Sequence, residues 1–163
     1  DWSSDVCSSD LCLWIFSVAE EFKDSGKNFF GSGDLYTPDI INEKTRNKYL
    51  KGVIVARGAI GNPFIFLQSK RILKNKKNIE IDSISKINVF LLFLKMMMEE
   101  FGERSGIIES RKYFSGYSKG MPCSSKIRNA YMRLTTYNEI QLMLKKYSDE
   151  LKRINDPISL NPD

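Results

Sequence analysis

The sequence predicts an α/β segment followed by an all-α segment, and three observations carry that prediction. The order helix, strand, helix, strand, helix between Trp14 and about Leu73 calls for parallel strands joined by crossover helices. From Phe64 onward no convincing strand pattern follows, only apolar residues at helical spacing. Both predicted strands run into glycine-bearing turns, Gly31-Ser32-Gly33-Asp34 and Ala56-Arg57-Gly58, at the strand ends where α/β proteins bind ligands.

Taken in order, the elements begin after an anomalous start. The first ten residues, DWSSDVCSSD, are acidic, serine-rich and without periodicity. They match the translation of a sequencing-library adapter, GAC TGG AGT TCA GAC GTG TGC TCT TCC GAT, whose final CT makes Leu11 whatever base follows. Residues 1–11 are therefore expected to be a disordered, adapter-derived artefact, with the genuine protein beginning in mid-domain; a natural disordered N-terminus is the alternative. Trp14 to Lys23 has helical spacing, with Ile15, Val18 and Phe22 on one face. Asn28-Phe29-Phe30 reads as a short buried strand, and Thr37-Pro38 as the cap and first position of a second helix. Gly52-Val53-Ile54-Val55 is a β-branched run expected to be a fully buried strand. After its turn, Asn62 is expected to cap a helix with Pro63 at the first helical position, running to Leu73.

The second half reads as helices only. A polar linker at Lys74–Asn78 precedes a long helix capped by Asp82 or Ser83 and ending near Phe101. Ile84, Ile87, Leu91, Leu94 and Met98 form its apolar face. Further helices are expected at about 105–116, 122–134 and 137–153, the last carrying the capping box Thr136-Tyr137-Asn138-Glu139. The expected organisation is thus 12–74 as the α/β part, 80–154 as the helical part and 155–163 as a tail.

Composition narrows the chemistry. The 163 residues suffice for one ordinary or two small domains. A net charge of +5 leans towards an anionic partner. There is no histidine, which removes His-based general bases, Ser–His and Cys–His dyads and His metal sites. Cys7, Cys12 and Cys123 show no metal-ligand spacing, so no metal is expected and a reduced, cytoplasmic protein is the default. The apolar stretch Leu11–Ala19 lacks the basic flank of a signal peptide, and no run is long enough to span a membrane.

Two patterns point to function. Asp34 and Arg57 are 23 positions apart, one βα unit, so neighbouring parallel strands would bring both glycine turns to one rim. Small residues there let backbone N–H groups approach a phosphate, with a buried Arg57 adding a charge-assisted contact. Tight turns alone also need such glycines, and spacing leaves both readings open. The fingerprint G-x-G-x-x-G and a Walker lysine are absent. The second pattern lies between Glu109 and Glu139, which holds no acidic residue but carries Arg111, Lys112, Lys119, Lys126, Arg128 and Arg133. Tyr113, Phe114, Tyr117, Tyr131 and Tyr137 are interleaved with them, a combination that suits an RNA-binding face; a solvated basic face with aromatics turned inward is the alternative. Cys123 is expected to be a small buried or turn residue, since no base lies near it in sequence.

At FFGSGDLYTPD, KGVIVARGAIGNPFIF and RKYFSGYSKGMPCSSKIR the chain resembles the C-terminal half of tRNA-dihydrouridine synthases, particularly the bacterial DusB-like type. The resemblance covers roughly Trp14 to Tyr147. It implies the last two βα units of a flavin-containing TIM (β/α)8 barrel followed by a C-terminal helical bundle that binds tRNA. It implies FMN as cofactor, NADPH as ultimate reductant, tRNA as partner, reduction of the uridine C5–C6 double bond and a monomeric full-length protein. Ser32-Gly33-Asp34 falls on the family's Asn-Gly-Asp FMN segment, and Ala56-Arg57 on its Gly-Arg phosphate segment; Ser32 and Ala56 depart from the family pattern. Arg111, Lys112, Lys119, Lys126 and Arg128 fall in the tRNA-binding part. The family's general acid is a cysteine from the N-terminal part of the barrel, a motif that neither Cys12 nor Cys123 occupies, so no catalytic residue is expected here. Two readings from other classes compete: an RNA-binding helical module, and a flavin- or phosphate-binding barrel enzyme without an RNA substrate.

Overall fold

Two short parallel strands and the helix between them form the centre of the first half. The computed structural model describes residues 8–155, with side chains described from Ile15 to Arg153. It divides into two compact units, one ending at Ile79 and the other starting at Glu80. Residues 1–7, most of the stretch read as adapter-derived, lie outside the described residues, as does the tail from 156.

In the first unit, α1 (Ser8–Glu21) precedes β1 (Phe30–Ser32), α2 (Pro38–Thr45), β2 (Gly52–Ile54) and α3 (Phe64–Leu73). β1 and β2 pair in parallel with Phe30 opposite Gly52, Gly31 opposite Val53 and Ser32 opposite Ile54. This is the βαβ order expected from the sequence. Thr37 caps α2, its hydroxyl accepting from the Ile40 amide at 3.3 Å, with Pro38 at the first helical position. Leu35, Ile41 and Ile65 form the core of the unit, with Ile40, Val53, Val55 and Ala59 packed against them.

Several expectations are corrected here. α1 begins at Ser8, so Ser8–Leu11 are helical where disorder was expected. Its covered face runs through Ile15, Phe16, Val18 and Ala19, whereas Phe22 lies beyond the helix and is exposed. β1 sits two residues later than the Asn28–Phe30 expectation, because the ladder partners of β2 are Phe30 to Ser32. β2 is not fully buried: Ile54 is 55% exposed, since helices cover only the Gly31 and Val53 face of a two-stranded sheet. Asn62 does not cap α3; Pro63 occupies the N-cap position with helical torsions and no side-chain bond satisfies the first amides.

The second unit holds α4 (Ser83–Phe101), α5 (Glu103–Tyr117), α6 (Ser124–Tyr131) and α7 (Tyr137–Asn155) around one core. Phe90 is at its centre, with ring centroids 4.7 Å from Phe114, 5.3 Å from Tyr117 and 5.4 Å from Tyr131. Leu94, Ile107, Ile140 and Leu144 complete the fully buried set. Asp82 caps α4 by accepting from the Ser85 amide at 2.9 Å. The α7 capping box forms as expected: Thr136 N–H donates to Glu139 Oε2 at 3.1 Å, and Glu139 N–H donates to Thr136 Oγ1 at 3.4 Å. α6 is shorter than expected, ending at Tyr131 instead of near residue 134. α4 and α5 approach closely at Gly106, where a Cβ would stand 2.7 Å from the Met97 carbonyl oxygen. No helix among the described residues is long and apolar enough to cross a membrane.

Candidate functional site

The turns that end β1 and β2 meet in one cleft of about 180 Å³. It is lined by Ser32, Gly33 and Asp34 from the first turn and by Ala56, Arg57 and Gly58 from the second, with Ile54 and Tyr36 beside them. All five residues predicted to hold a cofactor therefore share one site. The parallel register places Ser32 beside Ile54, so both chains leave the sheet at the same level. Gly58 makes the approach possible, because a Cβ there would lie 1.9 Å from the Leu35 carbonyl oxygen. Leu35 is itself anchored in the core of the unit, so the spacing of the two turns is set by packing.

The local backbone explains the residue types. Gly33 has φ +112° and Asp34 φ +48°, the second in the left-handed region that Asp and Asn tolerate best among side-chain-bearing residues. After β2 the chain makes a short 3-10 turn, Arg57–Ala59, closed by Ala59 N–H to the Ala56 carbonyl at 3.0 Å and Ile60 N–H to the Arg57 carbonyl at 3.1 Å. None of the residues lining the cleft comes from the first turn of α3, so the N-terminus of that helix contributes no lining group to it.

Arg57 is not buried, as the sequence suggested, but has a side chain 66% exposed. Its Nη2 lies 3.5 Å from Asp34 Oδ1, and its guanidinium carbon 5.8 Å from the centre of the Tyr36 ring. An exposed pair of this kind contributes about 0–1 kcal/mol, so the contact orients Arg57 more than it stabilises the fold. The cleft thus combines a cation free to accept a further anion, a carboxylate able to accept from hydroxyl or N–H donors, and small residues that let a ligand approach the backbone. Its volume falls below the roughly 300–1,000 Å³ of sites that enclose a whole drug-sized ligand, so it suits one end of such a molecule.

The second unit distributes its predicted RNA-binding residues unevenly. Arg111 is committed to the fold: its Nη2 donates to the Leu134 carbonyl at 3.0 Å, and its Nε is buried without a partner. Lys112 is exposed and paired with Glu109 on the same helix; that partner carboxylate holds the Lys112 ammonium above its usual range. Lys119 and Lys126 are exposed, and Arg128 is half-buried with Nη1 3.5 Å from Ser118 Oγ. Lys86 on α4, which sequence spacing did not single out, donates to the Lys119 carbonyl at 3.1 Å. Phe114, Tyr117 and Tyr131 are core residues and cannot stack on bases; Tyr113 and Tyr137 are half-buried. Cys123 is an exposed turn residue with φ +50° at the start of α6, not a buried one. Among the described residues no group of His, Cys, Asp and Glu could hold a metal ion.

Comparison with known proteins accounts for both halves. The family model for dihydrouridine synthases (Dus) matches residues 14–153. A probable tRNA-dihydrouridine synthase of Treponema pallidum is 35% identical over 91 residues, which is 56% of this chain and 27% of that protein. Its counterpart in Rickettsia bellii is 30% identical over 100 residues, 61% of this chain and 31% of the relative. That of Aquifex aeolicus is 26% identical over 132 residues, 81% of this chain and 40% of the relative. The chain therefore spans between about a quarter and two fifths of the length of these relatives. The family match runs through the cleft of the first unit and the four helices of the second, and the chain belongs to the dihydrouridine synthase family.

Proposed function

We propose that this chain is a C-terminal portion of an FMN-dependent tRNA-dihydrouridine synthase. On this reading residues 12–74 are the last two βα units of its TIM barrel and residues 80–154 its tRNA-binding helical domain. The observation that carries the reading is the close approach at Gly58, which joins Ser32-Gly33-Asp34 and Ala56-Arg57 in one cleft at the C-terminal ends of parallel strands.

The residues present fit one end of the cofactor. Arg57, exposed and held over the cleft rim by Asp34 and Tyr36, would take the phosphate. Asp34 is a negatively charged hydrogen-bond acceptor, unsuited to a phosphate and suited to the hydroxyls of the ribityl chain. Ser32 carries a hydroxyl that can replace one of the bonds an asparagine would make there. Ala56 has φ −103°, outside the left-handed region that would call for the glycine usual in the family. Bound FMN supplies the hydride that reduces the C5–C6 double bond of a tRNA uridine, with NADPH as ultimate donor. The cleft of this chain orients that cofactor and contributes no proton to the base; Cys123 belongs to the other unit and lines a different groove.

The reading assigns no catalytic residue to this chain, and it expects the chain alone to hold FMN poorly and to leave uridine unreduced. Flavin absorbance after purification and dihydrouridine formation on unmodified tRNA test this. Robust turnover by the chain alone would refute it. A helical RNA-binding module without a flavin role is the second reading, favoured by the second unit having a hydrophobic core of its own. Flavin-independent, salt-sensitive tRNA binding in a chain carrying Arg57→Gln and Asp34→Asn, with no FMN binding by the unaltered chain at any concentration, would select it.

A further inference from the structure

We propose that Lys86, Lys119 and Arg128 form one phosphate-binding corner of the second unit, and that it takes the sugar–phosphate backbone of tRNA; this rests on the tRNA-binding reading above. Three segments converge there. Lys86 comes from the first turn of α4 and donates to the Lys119 carbonyl at 3.1 Å. Arg128 comes from α6 and reaches the hydroxyl of Ser118, the residue before Lys119, at 3.5 Å. Lys119 itself stands exposed on the turn between α5 and α6.

Ser118 is fully buried, and its hydroxyl also donates to the Ser115 carbonyl, so the turn on which the cations gather is anchored and not a loose loop. Among the described residues none of the three cations is in a salt bridge. The acid nearest to Lys86 in sequence, Asp82, is the cap of α4, four positions before it. Its carboxylate is occupied by the Ser85 amide at 2.9 Å and the Ser85 hydroxyl at 2.5 Å. Those bonds favour the ionised form of Asp82, so the corner carries three cations against one carboxylate, an excess of positive charge that an anion offsets. Lys86 is the informative member, because no sequence spacing connects it to the basic stretch 111–133. It acts as a positioning residue for the Lys119 turn and presents its ammonium to the same phosphates.

The test is the salt dependence of tRNA binding by the full chain, measured with an unmodified tRNA transcript. Each phosphate contact removed should lower the slope of log K against log salt by about one. Lys86→Gln, Lys119→Gln and Arg128→Gln are each expected to show that drop, and Lys86→Arg to restore the slope. Lys152→Gln, which removes a lysine paired with Asp149 on α7, is expected to leave it unchanged. A purely structural role for Lys86 would lower the melting temperature of Lys86→Gln and leave the slope intact, which overturns the inference alone. Absence of tRNA binding by the unaltered chain, or binding only to anionic phospholipid vesicles, overturns the tRNA reading and the inference with it.

Discussion

Gly58→Ala is the substitution that most directly tests the architecture of the cleft. The new methyl carbon would lie 1.9 Å from the Leu35 carbonyl oxygen, 2.9 Å from its carbonyl carbon and 3.2 Å from the Tyr36 Cα. A carbon–oxygen contact needs about 3.3 Å, so the two turns must separate by about 1.4 Å. All three atoms are backbone, and Leu35 is a core residue, so no flexible side chain can yield. Overpacking of this sort costs about 1–3 kcal/mol. In a domain of 60–100 residues each kcal/mol lowers Tm by about 4–8 °C, which puts the expected drop at about 4 °C or more. Amide signals of α2 and β2 followed by NMR during a thermal melt report on the first unit selectively. Gly52→Ala is the control: its methyl would meet only the Phe30 ring, at 3.5 Å, and should be neutral or stabilising by up to about 1 kcal/mol. Equal melting temperatures for Gly58→Ala and Gly52→Ala would refute the claim that close packing at Gly58 sets the cleft.

Other expectations concern charge, core and caps. Arg57→Gln should leave the melt of the first unit nearly unchanged, since its exposed pair with Asp34 contributes about 0–1 kcal/mol, while removing whatever FMN affinity equilibrium dialysis detects. Phe90→Ala should destabilise the second unit by about 3–5 kcal/mol, read as a lower urea midpoint by far-ultraviolet circular dichroism. Burial raises the hydroxyl pKa of both Tyr117 and Tyr131 above the ordinary tyrosine value. The unfolded chain then loses these protons first, so the stability they contribute is complete below about pH 10 and is lost as pH rises beyond it. Urea midpoints taken on either side of that pH should fall, and Tyr131→Phe should flatten the dependence. That variant also loses the 2.5 Å hydrogen bond to Ser110, whose own hydroxyl proton goes to the Ile107 carbonyl. Thr136→Ala removes one half of the α7 capping box and should destabilise the second unit by about 0.5–2 kcal/mol, read as a lower urea midpoint.

Local signals and tertiary ones divide the legibility of this chain cleanly. Caps are read within four residues, so Thr37, Asp82 and the Thr136–Glu139 box were visible in the sequence and stand in the structure. Asn62-Pro63 was equally suggestive, yet the chain enters a 3-10 turn first and Pro63 takes the cap position. Exposure was harder to read. Arg57 and Ile54 follow a β-branched run that implies burial on both faces, but a sheet of two strands covers only one. The basic stretch 111–133 was legible as composition and the inward turn of its aromatics as the alternative reading, which Phe114, Tyr117 and Tyr131 follow, whereas the commitment of Arg111 to the Leu134 carbonyl was not legible.

The element order, the caps of α2, α4 and α7, the two glycine turns one βα unit apart and the likeness to dihydrouridine synthases are all read from the chain alone, because each depends on residues close together in it. Only the tertiary structure decided that Leu35 and Gly58 touch, that Arg57 faces solvent beside Asp34, and that Lys86 joins Lys119 and Arg128. Those contacts join residues separated by 10 to 33 positions, and packing, not local propensity, chooses which distant residues meet.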